Sequence, residues 1–312
     1  MAKSEEKQQR AERVAFELNR RRRLAVPTLV GGVFYMMSAV TISSALSGAP
    51  TVGVLQGLAP VIRGEAHPSE SPRTAELKYI SSHATALLVG SALAALAIGA
   101  LVLALLFICD STRFRRPNLW PAIRPLVLYG GIAVALISFG HQAVTAIETH
   151  AFAVSSDHSN AAVEHALTTG TAVEIVEYVD LFGGLALAVG MVSLMLNAMR
   201  VGLLPRWMSM FGMFAGLLLF LPIGGAQLQV VPALWMVFVG ILFYGRWPGG
   251  DPPAWEAGEA IPWPSGREEA ERKREEKGGG RRREPKAPEP LPAPEPVPAT
   301  ASGPSRKRRK RR

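Results

Sequence analysis

The 312-residue sequence has a single cysteine, Cys109. One thiol excludes an intrachain disulfide and any zinc site built from several thiolates. Charge is missing over long distances. There is no Asp, Glu, Lys or Arg from Ile80 to Cys109, and no Lys or Arg from Pro125 to Met199. A water-soluble helix needs a polar face, so these gaps exclude an ordinary soluble domain. No Walker sequence is present, which removes support for an ATP-driven pump. Ser43-Ser44 and Ser81-Ser82 lack the glycine-flanked setting of a serine nucleophile. Nothing alternates with the period of a membrane β-barrel.

What is there is apolar sequence in long runs. Six stretches approach or reach the roughly 20 residues needed to cross about 30 Å of hydrocarbon. They cover 24–47, 82–109, 125–147, 179–199, 207–225 and 228–245. In lipid the backbone must satisfy its own hydrogen bonds, so each run is expected to be a helix. The first begins behind more than twenty charged and polar residues and is long enough to span, so it reads as an uncleaved anchor. Cys109 ends an apolar run and is expected to behave as a small hydrophobe. The glycine pairs Gly31-Gly32, Gly130-Gly131 and Gly183-Gly184 lie inside spans, where small residues let helices approach closely.

The formal net charge of +9 is unevenly spread. Eight Lys and Arg precede Leu24, four lie between the second and third runs, two between the fourth and fifth, and 17 follow Gly245. The remaining three, Arg63, Arg73 and Lys78, lie between the first and second. Thirty-one of 34 therefore fall on one side of a six-span chain, which the positive-inside rule makes the cytoplasm. The expected fold is all-α: a polytopic membrane helical bundle of six transmembrane helices with both termini cytoplasmic. Residues 1–23 form a charged cytoplasmic helix, 24–245 the transmembrane domain, and 246–312 a disordered, basic, Pro-rich tail. The Trp- and Pro-containing stretch 249–265 is a candidate to lie against the membrane surface.

Two groups of residues stand out chemically. Arg20, Arg21, Arg22 and Arg23 sit at the mouth of the first span, and Arg306, Lys307, Arg308, Arg309, Lys310, Arg311 and Arg312 close the chain. Both clusters are candidates for contact with anionic lipid headgroups or a cytoplasmic protein partner. Nucleic acid is not an expected partner, because no folded reader or aromatic platform accompanies the charge.

The second group lies on the opposite side. All six histidines, His67, His83, His141, His150, His158 and His165, map to the outer side or to outer span ends. Their absence from the inner half excludes a transmembrane haem relay, which needs axial pairs at two levels. Glu174, Glu177 and Asp180 recur every three residues on the way into the fourth span, so they neighbour one another along a helix. His83, His141, Glu174, Glu177 and Asp180 are the candidate ligands of a metal or proton site. The alternative is an exposed acidic loop whose groups titrate freely, since the His spacings match no compact metal motif. No cofactor is expected.

The segment Gly202-Leu203-Leu204-Pro205-Arg206-Trp207, followed by the glycine-rich run Phe211–Gly225, resembles a loop in a bacterial family of six-helix integral membrane proteins of unknown function. In that family a Gly-Leu-x-Pro-Arg-Trp turn precedes the fifth span. The resemblance covers about an eighth of the chain, and the long N-terminal segment and basic tail depart from it. With the Ala, Gly and Arg bias, it implies a bacterial, actinobacterial plasma-membrane protein and carries no activity. The expected function is non-enzymatic, with basic tails touching lipid or a partner. The alternative is a small-solute or metal-ion permease that uses the outer His/Glu/Asp cluster.

Overall fold

Helices cover the first four apolar runs almost completely and extend beyond each of them. The computed structural model describes residues 2–50, 52–53, 71–168, 171–220, 228–248 and 250–263, with the backbone alone given for 2–4, 6–7, 167–168 and 171–177. The described residues contain helices and no strand: α1 (Ala2–Leu46), α2 (Thr74–Ser82), α3 (Ala84–Arg115), α4 (Ile123–Val154), α5 (Asn160–Thr168), α6 (Thr171–Arg200), α7 (Arg206–Phe220), α8 (Val230–Tyr244) and α9 (Ala254–Ala257). The charged N-terminal segment and the first apolar run form one continuous helix, which passes through Pro27 without ending. Thr28 and Ser138 donate their hydroxyls to carbonyls one turn back, so these polar groups need no partner in the apolar layer.

Four helices, within 8–46, 84–115, 123–154 and 178–200, are long and apolar enough to cross a membrane. Helices α7 and α8 are shorter, at 15 residues each. At 1.5 Å per residue each is about 22 Å long, under the roughly 30 Å of hydrocarbon. The expected spans 207–225 and 228–245 therefore appear as shorter apolar helices. Residues 221–227 between them lie outside the described residues, as do His67 and 264–312.

The helices pack in a closed ring, α1 against α3, α3 against α4, α4 against α6, α6 against α7, α7 against α8, and α8 back against α1. Helix α3 also touches α6 across the middle. Ala97, Leu101, Ala104, Leu105 and Ile108 are essentially without exposure, which makes α3 the central helix. Contact is closest where glycines cross. A Cβ on Gly130 would lie 2.6 Å from the Leu187 amide nitrogen and 2.9 Å from the Gly183 carbonyl oxygen, so the α4 and α6 backbones touch there. Gly212 makes room for Trp235, whose indole N–H donates to the Met208 carbonyl at 3.0 Å.

The outside of the ring is apolar at helical spacing. Val26, Val30, Val33, Met37 and Val40 on α1 are exposed, as are Tyr129, Ile132, Leu136 and Phe139 on α4 and Met210, Phe214 and Leu217 on α7. A surface apolar on all sides suits lipid and is costly in water. Neighbours around the ring run in opposite directions, as the contacts Arg20–Asp110, Gly130–Leu187 and Gly212–Trp235 require, so each of these six helices has one end beside the N-terminal arginines (the basic end) and one at the far end. At the far end Leu77 of α2, Phe152 of α4, and Val163 and Ala166 of α5 form a small second core. Beside it, the Ser159 amide donates to Asp157 at 2.9 Å and holds that carboxyl below its ordinary range.

The start of the expected tail is folded. Residues 250–263 pack on the basic end, and Trp255 is fully buried with its indole N–H donating to the Leu203 carbonyl. Ile261 N–H donates to the Val201 carbonyl, and Trp263 to that of Leu204. Gly202 takes φ +78°, and any side chain there would collide with the Ile261 carbonyl. The disordered region expected from residue 246 therefore does not include 250–263.

Candidate functional site

Near the far end, α1, α3, α4, α6 and the turn before α8 surround an open cavity of about 290 Å³. It is lined by Tyr35, Ile42, Ser91, Ala94, Ile137, Ser138, His141, Gln142, Asp180 and Gln229. Most of these side chains are polar, inside a bundle whose outer surface is apolar. Tyr35, Ile42, Ser91, Ala94 and Asp180 come from the far-end third of their helices, the four α4 residues from the middle of theirs and Gln229 from just before α8, so the site exists because antiparallel packing brings five separated segments to one level.

The hydrogen bonding gives the cavity a chemical sign. Ser91 donates its hydroxyl to the Leu88 carbonyl at 2.9 Å, and Ser138 to the Val134 carbonyl at 2.7 Å. Their single protons are thus used, and the lone pairs remain. Gln229 Oε1 is buried with no hydrogen-bond partner. The Asp180 carboxylate adds further acceptors. One turn along α1 from Tyr35 and Ile42, Ser38 is fully buried with its hydroxyl unpartnered. The lining also carries donors, the Tyr35 hydroxyl and the side-chain amides of Gln142 and Gln229. With Asp180 as its one acid, it suits a small polar ligand.

Of the residues singled out in the sequence, His141 and Asp180 line this cavity. His83 does not. It closes α2, with its ring stacked on Tyr79 at 4.1 Å between centroids and Nδ1 3.0 Å from the Tyr79 carbonyl oxygen. Glu174 and Glu177 are in α6, with side chains outside the described residues. Among the described residues no three of His, Cys, Asp and Glu gather as metal ligands. Ser91, Ser138 and Gln142, polar positions within apolar runs that no motif marks, are part of the site. Tyr35 and Gln229 gave no sequence signal, since an aromatic in an apolar run and a glutamine beside a turn are both commonplace.

The basic end places the arginines differently from the expectation of four headgroup contacts. Arg22 and Arg23 are exposed, and Arg20 lies 3.5 Å from Asp110. Arg21 is buried, 2% exposed, and is a correction to that expectation. It grips Asp251 through two hydrogen bonds of 2.6 and 2.8 Å, donates to the Leu242 carbonyl, and lies over the Trp255 ring. Arg115 pairs with Glu17 at 2.8 Å, donates to the Ala254 carbonyl at 2.9 Å and also lies over the Trp255 ring. Phe107 stacks on the same indole, with centroids 5.7 Å apart. Glu17, Arg115, Asp251 and Trp255 form a structural clasp that sequence reasoning missed. Its one sequence signal is an acid-and-tryptophan stretch, Asp251 to Glu259, set between the last apolar run and the basic tail. Arg306–Arg312 lie outside the described residues.

Family models, curated proteins and solved structures offer no match to this chain.

Proposed function

We propose that the chain is a six-span bacterial plasma-membrane protein with both termini in the cytoplasm, and that it acts as a small-solute permease. Its solute is a small hydrogen-bond donor, a protonated amine in the first instance, taken up in the far-end cavity from outside. The observation that carries this reading is the polar cavity holding His141 and Asp180, its one acid, between five segments. An ionisable residue within an apolar helix is expensive and is retained where it faces a pathway or partner. At about 290 Å³ the cavity lies at the bottom of the range for drug-sized ligands, which fits a compact solute. The orientation draws its support from the basic residues, which gather at the end opposite the cavity. The metal version of the permease now depends on Glu174 and Glu177. The basic tail is assigned a supporting, non-enzymatic role, contact with anionic lipid or a cytoplasmic protein.

Cysteine labelling tests the reading. In a Cys109→Ala background, Gln142→Cys is expected to react with a membrane-impermeant maleimide added to intact cells. Millimolar ethanolamine or putrescine is expected to slow that reaction, and Asp180→Asn to remove the protection. Labelling only after permeabilisation would overturn the outward cavity. Labelling that no amine slows would overturn the solute class.

A further inference from the structure

A second cavity, independent of the first, lies at the basic end between α1 and the end of α3. It has a volume of about 630 Å³. Arg13, Phe16, Glu17 and Arg20 reach it from α1, at the i, i+3, i+4, i+7 spacing of one helix face. Phe107, Asp110, Ser111, Arg113 and Phe114 line the other wall.

Three observations give this groove a ligand chemistry. The first is charge. Its two carboxylates are already answered, Glu17 by Arg115 at 2.8 Å and Asp110 by Arg20 at 3.5 Å and Arg124 at 3.6 Å. Arg13 and Arg113 form no ion pair among the described residues, so a positive excess faces the cavity. The second is a buried donor. Ser111 is 1% exposed, lines the groove, and its hydroxyl has no hydrogen-bond partner. The third is apolar surface beside the charge: Phe16 is 64% exposed, and Arg13 lies 4.3 Å from the centre of the Phe114 ring. Cations, an unpaired hydroxyl and exposed aromatic surface in one groove match a phosphate group attached to a hydrocarbon body.

The level of the groove matches too. Arg20 lies four residues before the first apolar run, and Arg113 four residues after the second. At 1.5 Å per residue both stand about 6 Å outside the hydrocarbon, within the headgroup layer. We propose that this groove binds the headgroup of an anionic phospholipid of the cytoplasmic leaflet, with its phosphate held by Arg20, Arg113 and the Ser111 hydroxyl and Arg13 at the outer rim. The inference rests on the membrane orientation above and not on the solute reading.

The test is native mass spectrometry of the full-length protein, purified at high salt so that loosely attracted lipid is screened away. Phosphatidylglycerol, phosphatidylcholine and inorganic phosphate are the probes. Wild type is expected to retain one phosphatidylglycerol in preference to phosphatidylcholine. The Arg20→Gln/Arg113→Gln double variant is expected to lose about thirtyfold in that affinity, the effect of two basic groups near an anionic surface. Ser111→Ala should lose several-fold, and Arg200→Gln, which does not line the groove, should match wild type. Retention of phosphatidylglycerol by the double variant, or equal retention of phosphatidylcholine by wild type, would overturn the proposal. Displacement of the lipid by millimolar phosphate would overturn it in favour of a soluble anion. Maleimide labelling of Asn118→Cys in sealed cells would show that the orientation had failed rather than the groove.

Discussion

At the scale of single residues, the clearest departure from what the composition implies is Arg115. An arginine whose side chain is fully buried needs a compensating charge, and Glu17 supplies it at 2.8 Å. Removing one partner of such a pair leaves the other desolvated and unanswered, which costs more than the pair contributes. Glu17→Ala is therefore expected to lower stability by about 3 kcal/mol. The Glu17→Ala/Arg115→Met double variant should recover much of that loss, because an apolar side chain of similar length fits a buried site without a charge to satisfy. Thermal unfolding in detergent, followed by helical signal, measures both. If the double variant were as unstable as the single, the loss would lie in packing rather than in the orphaned charge. Neither residue was identifiable beforehand. Glu17 is one of four acids in a charged segment, and only the fold of α1 against α3 sets it beside Arg115.

At the scale of elements, glycines decide how closely helices pack. The pairs at Gly31, Gly130 and Gly183 were legible as small residues in apolar runs, and the structure puts each against a neighbouring helix. The sequence could not say which glycines touch and which do not. Gly99, inside α3, has nothing within 4 Å of where a Cβ would stand, whereas Gly130 faces backbone at 2.6 Å. Gly99→Ala is thus expected to be neutral or to stabilise by up to about 1 kcal/mol through helix propensity. Gly130→Ala should destabilise by about 1–3 kcal/mol, because a backbone neighbour cannot rotate away. Comparing the two unfolding midpoints tests this directly. A loss at Gly99 as large as at Gly130 would mean that contact does not control the effect. The same scale holds the difference at residues 250–263. Composition reads this stretch as polar and proline-rich, yet Trp255 fills a slot walled by Phe107, Arg21 and Arg115. Whether a tryptophan lies on a membrane or inside a protein depends on that slot, and no local pattern encodes it.

For the molecule as a whole, the arrangement rests on antiparallel neighbours in a ring with an apolar exterior. Four helices meet the length and composition needed to cross a membrane, and two 15-residue apolar helices complete the ring. The six-span orientation makes a topological prediction at three sites. In the Cys109→Ala background, Ser156→Cys and Gln227→Cys should be labelled by impermeant maleimide on intact cells, and Asn118→Cys only after permeabilisation. If Gln227→Cys is protected in sealed cells while Ser156→Cys reacts, then α7 and α8 form a re-entrant pair rather than two spans.

That the chain is helical and built around long apolar segments follows from local sequence alone. A backbone surrounded by apolar side chains has no partner but itself, and that constraint is local. The sequence also exposed the asymmetry of charge along the chain, since counting basic residues between runs needs no contacts. The packing of the helices set everything that depends on residues distant in sequence meeting at one level. It brought His141 and Asp180 to one polar cavity and set His83 against Tyr79. It buried Arg21 against Asp251, 230 residues away, and turned the beginning of a nominal tail into part of the core. Periodicity fixes which way a side chain points from its own helix. The side chain it meets there depends on how the ring of helices closes.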